Sequence, residues 1–454
     1  MVEQADAVVI GMGPGGEEVA GRLAEAGLDV VGIEKELVGG ECPYWGCVPS
    51  KMMIRAANLL AEARRIPGIA GQAAVSPDWG PVAARIRDEA TDNWNDKVAV
   101  DRFESKGGRF VRGEGCLIGP GRVQVGGRVI EARRAVVLAT GTAASIPPIP
   151  GLGEVPYWTN RHAIETAALP ESLVVLGGGA IGVELSQVFA RFGVRVTLVE
   201  ALDRLLPLEE PEVGELIADV LRAEGVGVVT ATAAANVAYQ DGRFAVTLAD
   251  GQNLTGERLL VATGRRANLR AIGLGNAGID DTQRWVPVDD HLRVAPGVWA
   301  VGDLTGAGAF THVAMYQAGI AVADILGQDA QPAEYRALPR VTFSDPEAGS
   351  VGLTAQAAQA EGMRVRVGIS QLPSSARGWI HKSGNEGFIK LVADADRGVL
   401  VGATSVGPAG GEVLGLLTLA VHAQTPISVL RTMIYAYPTV HRAVEDALRD
   451  LQAE

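Results

Sequence analysis

The sequence predicts a mixed α/β fold: two nested units of parallel strands and helices, followed by a C-terminal α+β part. Three observations predict it. A Gly-rich strand–turn–helix–strand pattern occurs twice, 166 residues apart. A strand that runs into Ala-Thr-Gly also occurs twice, where the chain leaves the first unit and returns to it. Beyond Pro339 the pattern changes to paired strands and helix-like segments.

The first unit is the segment ADAVVIGMGPGGEEVAGRLAEAGLDVVGIEKE, an apolar strand, a Gly-rich turn, an Ala-rich helix and a second strand. Gly11 allows the tight turn, Gly13 lets a pyrophosphate approach the backbone, and Gly16 lets helix and strand pack closely. Glu34 ends the second strand, where an acid is placed for a ribose hydroxyl. The free amides at the helix start then face the phosphates.

The second unit, LVVLGGGAIGVELSQVFARFGVRVTLVEA, repeats this plan with Gly177, Gly179, Gly182 and Glu200. Each of these residues lies 166 positions after its counterpart, so the two units match without a gap. One such fingerprint can be a purely structural βαβ turn. Two in one register, each ending on an acid, predict two Rossmann-like domains that bind two dinucleotides.

The domain order follows from the echoing strands AVVLATG, which ends at Gly141, and RLLVATG, which ends at Gly264. Pro-rich IPPIPG marks the first crossing as a linker. The last part has no nucleotide signature and is assigned to assembly. We predict a first dinucleotide-binding domain in two segments, 1–145 and 261–336, a second one over 146–260, and a dimerisation domain over 337–454.

Composition narrows the class of protein. The net charge is −13 with the signs interspersed, so neither nucleic acid nor an anionic membrane is expected as a partner. No apolar run approaches the ~20 residues of a membrane span, and no basic flank precedes the first apolar stretch. Three cysteines exclude a disulfide framework and indicate a reducing setting. We expect a soluble, cytoplasmic chain without a metal site.

Two of the cysteines, Cys42 and Cys47, lie close together in ECPYWGCVPSK. Pro49 suits a first helical turn, which places the Cys47 sulfur near a helix N-terminus that favours its thiolate. Lys51 falls on the same helical face one turn later. Two buried, inert thiols are the plain alternative. The motif, downstream of a fingerprint strand, favours a redox-active pair, and Cys116 is assigned to core packing.

These motifs, together with VATGRRANL, VGDLTG, DPEAGSVGLT and YPT, resemble in order and spacing the two-dinucleotide flavoprotein disulfide reductases. That family includes dihydrolipoamide dehydrogenase, glutathione reductase and mercuric reductase. The resemblance spans nearly the whole chain. It implies an FAD-dependent NAD(P)H oxidoreductase that forms a homodimer, with each active site at the subunit interface.

The resemblance also implies roles for individual residues. The FAD site would comprise Gly11, Gly13, Gly16, Glu34, Lys51, Thr140, Gly141, Gly302, Asp303 and His312. The nicotinamide dinucleotide site would comprise Gly177, Gly179, Gly182, Glu184, Glu200 and Gly264. The catalytic residues would be Cys42, Cys47, Lys51, Glu184 and Tyr437. Cys47 would face the flavin, Cys42 would exchange with substrate, and a Lys51–Glu184 ion pair is expected.

Glu200 would repel a ribose phosphate, so NADH is expected over NADPH, a preference that Arg204 would soften.

One family motif is altered. The family's His-Pro-Thr-x-x-Glu supplies an acid–base His and a Glu that orients it, but here Tyr437 takes the His position and Arg442 the Glu position. A phenol with an ordinary pKa of about 10 is a poor base at neutral pH, and losing a general base costs roughly 100-fold to 10,000-fold. His441 and Glu445, at helical spacing, either replace this dyad or lie on a solvated face. The sequence leaves that open.

Three functions therefore remain. In the first, electrons pass from nicotinamide through FAD to a Cys42–Cys47 disulfide and on to a small-molecule acceptor. In the second, a diaphorase or quinone reductase, the flavin reduces the acceptor directly; the third is a non-catalytic flavoprotein subunit. A mercuric reductase role is disfavoured because no cysteine follows Cys116. Tyr44 and Trp45 lie beside the substrate-side thiol. They either narrow access to that thiol, offer a stacking surface for a quinone, or simply pack in the protein interior.

Overall fold

The computed structural model describes residues 2–451 of the chain. Within that range the backbone forms 22 strands and 15 α-helices. The strands, numbered β1 to β22 in chain order, are Val2–Ile10, Val30–Glu34, Arg109–Arg112, Gly115–Gly119, Arg122–Val125, Arg128–Leu138, Ala143–Ala144, Ser172–Leu176, Arg195–Val199, Gly227–Val229, Ala234–Gln240, Arg243–Leu248, Asn253–Gly256, Arg258–Val261, Arg265–Arg266, Arg293–Ala295, Val298–Ala300, Pro339–Thr342, Glu347–Gly352, Val365–Gln371, Phe388–Asp394 and Val399–Gly407.

The helices vary from single turns to five turns in length. Numbered α1 to α15 in chain order, they are Pro14–Glu25, Glu41–Tyr44, Cys47–Arg65, Gly80–Arg85, Lys97–Ser105, Asn160–Glu165, Ala180–Arg191, Pro211–Ala223, Leu269–Ile272, Thr311–Ile325, Ala355–Ala360, Ala376–His381, Gly410–His422, Ile427–Thr432 and His441–Asp450. None of the helices within residues 2–451 combines the length and the apolar character that crossing a bilayer requires.

The chain divides into two compact units, each made of three segments. Unit 1 comprises Met1–Ser50, Ala83–Ser145 and Gly264–Glu334. Unit 2 comprises Lys51–Val82, Ile146–Thr263 and Tyr335–Glu454.

Unit 1 is built on an eight-stranded sheet with a parallel centre. The strand order is β16-β17-β6-β1-β2-β3, and antiparallel β5 and β4 continue from β6. β1 pairs in parallel with both β2 and β6. The carboxyl ends of β1 and β2 therefore share one edge of the sheet, where Gly11 and Glu34 lie and where such folds bind ligands.

Side chains pack on both faces of β1. Ala7 and Val9 belong to a buried cluster with Val19 and Leu23 of α1, whereas Val8 belongs to a cluster on the opposite face. A parallel strand that is buried on both faces has a continuous apolar sequence rather than an alternating one. This explains the uninterrupted apolar run AVVI, residues 7–10, with which β1 ends.

Unit 2 contains three sheets. A parallel sheet of order β10-β9-β8-β14 repeats, with α7, the βαβ plan of unit 1. Antiparallel β11-β12-β13 forms a second sheet, and antiparallel β18-β19-β22-β21-β20 forms a third. Leu414, Leu417 and Val421 of α13 lie in one buried cluster with Leu391 and Leu400 of the third sheet.

The predicted fold class is confirmed: two Rossmann-like βαβ sheets are accompanied by a C-terminal α+β part. The paired strands predicted in GFIKLVADADRGVLVGATSVG are the antiparallel pair β21 and β22. The boundaries of the three predicted domains stay a prediction.

Candidate active site

In unit 1 the carboxylate of Glu34 closes the Gly-rich turn. Its Oε2 accepts a hydrogen bond from the Met12 amide at 2.8 Å, and its Oε1 accepts one from the Glu36 amide at 2.8 Å. Both bonds hold the acid at the carboxyl edge of β2. Each oxygen keeps a second lone pair, so the carboxylate is still able to accept from a ribose hydroxyl.

In unit 2 the carboxylate of Glu200 makes the equivalent pair of bonds. Its Oε2 accepts from the Gly178 amide at 2.6 Å, and its Oε1 accepts from the Leu202 amide at 2.8 Å. Gly178 and Leu202 each lie 166 residues after the partners of Glu34. The repeat therefore extends from sequence to hydrogen bonding.

Both Gly-rich turns end in a helix whose first amides have no side-chain cap. Gly13 is the N-cap of α1 and Gly179 the N-cap of α7, and neither helix has a side-chain cap hydrogen bond. A Cβ at Gly16 or at Gly182 would lie 1.9 Å from the carbonyl oxygen five residues earlier, so only glycine permits this close turn. Exposed helix-start amides beside a tight glycine turn fit the pyrophosphate of a dinucleotide.

Three further residues predicted for FAD, Thr140, Gly141 and His312, lie in unit 1. A Cβ at Gly11 would lie 2.5 Å from the Ala139 carbonyl oxygen, which places the strand end at Thr140 and Gly141 against this turn. His312, in the first turn of α10, stacks on Phe310 with ring centroids 5.1 Å apart. The predicted nicotinamide residue Gly264 also falls in unit 1, where its carbonyl accepts from the Ser145 amide at 2.9 Å.

Asp303 belongs to a chain of hydrogen bonds that the sequence did not indicate. The Thr142 hydroxyl donates to Asp303 Oδ2 at 2.9 Å, and Arg265 Nε donates to the Thr142 hydroxyl at 2.8 Å. Burial raises the pKa of Asp303, while Thr142 and Arg265 act in the opposite direction. The Gly302 amide donates to the buried side chain of Gln317 at 2.6 Å. A fixed, half-buried carboxylate here suits a polyol chain such as the ribityl group of FAD.

The two motif cysteines lie at consecutive short turns. Cys42 is in α2, and α3 begins at Cys47, as the sequence predicts. Both are thiols, Cys42 half-buried and Cys47 exposed. The hydrogen bond between them is the largest cause that raises the pKa of Cys42, followed by burial, while a bond from Thr311 lowers it. Cys47 Sγ lies 3.5 Å from the Thr311 hydroxyl, so Thr311 contacts the sulfur at the start of α3.

In unit 2 the expected ion pair of Lys51 with Glu184 is present. The Lys51 ammonium lies 2.8 Å from Glu184 Oε2, and the carboxylate is buried. Glu184 Oε1 accepts from the Phe343 amide at 2.8 Å. The Lys51 ammonium also lies 4.6 Å from the centroid of the Phe343 ring. Phe343 thus contacts both members of the pair, and no motif in the sequence indicated it.

The region that replaces the family dyad is also in unit 2. Tyr437 is 72% exposed. Arg442 Nη1 lies 2.5 Å from Glu445 Oε2, and Arg449 pairs with the other oxygen of the same carboxylate. Glu445 is therefore occupied by two arginines, and the pairing with His441 considered above is not what the structure records.

The aromatic pair beside Cys42 is buried. Tyr44 is 6% exposed and Trp45 8% exposed, and their rings contact each other at 5.8 Å between centroids. Plain packing is therefore the outcome, and neither ring offers an open face to a quinone.

Comparison with known proteins covers almost the whole chain. Residues 5–318 match the family model described as pyridine nucleotide-disulphide oxidoreductase. Residues 338–448 match the model for the dimerisation domain of that family.

Two curated relatives illustrate the range of similarity. The mercuric reductase of Acidithiobacillus ferrooxidans is 34% identical over 444 residues, which is 95% of this chain and 80% of the relative. The dihydrolipoyl dehydrogenase of Chlorobaculum tepidum is 33% identical over 462 residues, which is 99% of this chain and 97% of the relative.

Solved structures show the same similarity. LpdA from Mycobacterium tuberculosis superimposes with a TM-score of 0.86 at 28% identity, covering 100% of both chains. The HOCl-induced flavoprotein disulfide reductase RclA from Escherichia coli, in its Cu(II) complex, superimposes with a TM-score of 0.87 at 25% identity, covering 99% of both chains.

Proposed function

The chain belongs to the pyridine nucleotide-disulphide oxidoreductase family of FAD-dependent NAD(P)H enzymes, and on that premise we propose the path of its electrons. NADH is oxidised, two electrons pass by way of FAD to a Cys42–Cys47 disulfide, and a small-molecule acceptor receives them. The hydride from NADH and one proton from solvent turn the disulfide into two thiols. The acceptor then takes two electrons and two protons as the disulfide re-forms.

The observation that carries this proposal is the contact of Cys42 with Cys47 beside the Thr311 hydroxyl. FAD, when bound, supplies two-electron transfer between nicotinamide and sulfur. The protein places Cys47 at the start of α3, where the helix dipole favours a thiolate. Cys42 holds its proton more tightly than an ordinary thiol, so the disulfide half of the reaction depends on a group that moves that proton.

Binding of FAD in unit 1 is supported by the uncapped start of α1, by the anchored Glu34 and by the half-buried Asp303. The same features of unit 2, at α7 and Glu200, support binding of the nicotinamide dinucleotide.

NADH is the preferred electron donor in this proposal. The Glu200 carboxylate is fixed by two backbone amides, so it is not free to turn away from a ribose phosphate. Arg204, which would soften the preference, donates instead to Asp203 and to the Pro207 carbonyl, both at 3.3 Å. A carboxylate held in place and an arginine engaged elsewhere both disfavour NADPH.

A second candidate, reduction of quinones or dyes, is favoured by the altered dyad. Tyr437 is exposed, and Glu445 is held by arginines rather than by a histidine. A phenol donates a hydrogen bond to a developing oxyanion but does not take up a proton efficiently at neutral pH. An acceptor that needs little base catalysis, such as a quinone, therefore suits this site better than a disulfide.

The match to the dimerisation domain supports a homodimer, and the proposal places Tyr437 of each subunit at the other subunit's Cys42. The test is turnover of purified enzyme with NADH and with NADPH against lipoamide, glutathione disulfide, a quinone and oxygen in parallel. We expect NADH to be more efficient and the quinone to exceed both disulfides by roughly 100-fold or more. Equal turnover of lipoamide and quinone would contradict the assigned acceptor.

A further inference from the structure

The loop that follows β18 is bound along one face of α7. Glu184 accepts from the Phe343 amide, and Gln187 both accepts from the Asp345 amide at 2.8 Å and donates to the Asp345 carbonyl at 2.9 Å. Arg191 Nη2 donates to Asp345 Oδ2 at 2.8 Å. These three helix residues are three and four positions apart, which places them on one face.

The part of this attachment made by Gln187 and Arg191 is buried and does not involve Lys51. Gln187 is 4% exposed and Arg191 is 2% exposed. Asp345 also accepts from Arg65 Nη2 at 2.9 Å, so one buried carboxylate joins α3, α7 and the loop. Buried charge pairs with complete hydrogen bonding resist displacement because separating them leaves an uncompensated charge. Phe343 is consequently fixed by its neighbours in the loop.

Lys51, by contrast, has one fixed charge partner and a flexible four-carbon stem. Its side chain is 34% exposed, and its ammonium forms a salt bridge with Glu184 Oε2 at 2.8 Å. The Phe343 ring lies 4.6 Å from the ammonium, within the range of a cation–π contact. Carboxylate and ring therefore hold the ammonium from two directions.

We propose that Phe343 is a positioning residue for Lys51: its amide fixes Glu184, and its ring holds the Lys51 ammonium against that carboxylate. The C-terminal part of unit 2 would thereby set the geometry of an ion pair formed by α3 and α7. The consequence for catalysis rests on the proposed function together with the catalytic role that the family resemblance implies for Lys51. The contact itself does not.

The test is competitive acetylation of the FAD-loaded enzyme with limiting acetic anhydride, followed by peptide mass spectrometry. Only the neutral amine reacts, so labelling reports how well the ammonium is stabilised and covered. Phe343→Leu should raise Lys51 labelling roughly two- to fivefold, the range for a partly exposed cation–π contact. Phe343→Tyr, which keeps the ring, should label like wild type. Lys97, 71% exposed and paired with Asp101, is the internal control and should not change.

A fluorination series separates the ring's electrostatics from its packing. Phe343 replaced by mono- and then trifluorophenylalanine keeps the shape but weakens the quadrupole, so Lys51 labelling should rise stepwise with each addition. This series remains informative even if Phe343→Leu fails to fold. Labelling that stays at the wild-type value throughout the series would overturn the proposal.

Flavin reduction by NADH, measured on the same samples, distinguishes the two levels of the account. Raised Lys51 labelling together with slower flavin reduction supports both the positioning role and the proposed role of Lys51. Raised labelling with unchanged flavin reduction supports the positioning role and contradicts the catalytic role that the family resemblance implies for Lys51.

Discussion

The hydroxyl of Thr311 lies 3.5 Å from the sulfur of Cys47, and the same side chain lowers the pKa of Cys42. Thr311 and Cys47 are separated by 264 positions in the sequence. Because the Thr311 bond lowers the pKa of Cys42 while Cys47 and burial raise it, Thr311 moderates how tightly Cys42 holds its proton.

Removing the Thr311 hydroxyl should slow the reaction of Cys42. In reduced Thr311→Val the pKa of Cys42 rises further, so a smaller fraction is thiolate and alkylation by iodoacetamide at pH 8 to 9 should slow roughly tenfold. The rate is measured by mass spectrometry of the Cys42 peptide. Thr311→Ser keeps the hydroxyl and should react like wild type. If Thr311→Val also reacts as fast as wild type, the Thr311 hydroxyl has no effect on Cys42.

Asp303→Asn should stabilise the apoprotein and weaken its binding of FAD. Burial raises the pKa of Asp303, so its contribution to stability is fully present below the unfolded value of about 3.9 and is lost as pH rises through the folded value. Between pH 6 and 8 the Asn variant should therefore have a higher Tm without FAD, and its FAD affinity should fall about tenfold. Apo Tm values across pH and a fluorescence titration with FAD check both. A lower apo Tm at pH 7 would contradict the assigned cost of burying Asp303.

Glu200→Gln should shift the choice of nicotinamide. The amide keeps an acceptor for one of the two backbone bonds but removes the charge that repels a ribose phosphate, so the NADPH to NADH ratio of kcat/KM should rise by about tenfold. The matched control is Glu34→Gln, the same change at the equivalent position of the first repeat. It should lower FAD affinity and leave the ratio unchanged. An unchanged ratio in the Glu200 variant would remove the basis for the NADH preference.

Restoring the dyad should restore disulfide chemistry selectively. Tyr437→His with Arg442→Glu should raise lipoamide turnover at least tenfold and leave quinone turnover within about twofold, because only the disulfide reaction needs the base. Arg442→Glu alone, which loses the pair with Glu445, controls for disturbance of α15. The comparison is steady-state turnover with both acceptors. If native lipoamide turnover already equals that with quinone, another residue, His441 first, acts as the base.

The sequence predicted those features that repeat or that have fixed spacing. The offset of 166 residues located both Gly-rich turns, and the structure repeats even the paired amide bonds of Glu34 and Glu200. The helix start at Cys47 was predictable because Pro49 marks it locally.

Contacts between distant segments were not predictable. Phe343 is 159 residues from Glu184, and Thr311 is still further from Cys47, and no periodicity encodes such pairs. Side-chain exposure was not predictable either. Whether the Trp45 ring is buried or open to solvent depends on tertiary packing, which secondary-structure propensity does not determine. Arg265 had a signal, since it directly follows the Ala-Thr-Gly turn, but its bond to Thr142 is visible only in three dimensions.

The central claim is that the cysteine pair accepts the electrons of NADH. Anaerobic titration of the FAD-loaded enzyme with NADH tests it most directly, with absorbance spectra recorded and thiols alkylated at each step. The account predicts that the first equivalent produces a long-wavelength thiolate-to-flavin absorbance and two new alkylatable thiols, Cys42 and Cys47, and that Cys47→Ser abolishes the absorbance. Flavin bleaching without that absorbance, with alkylation of both cysteines unchanged, would contradict the account.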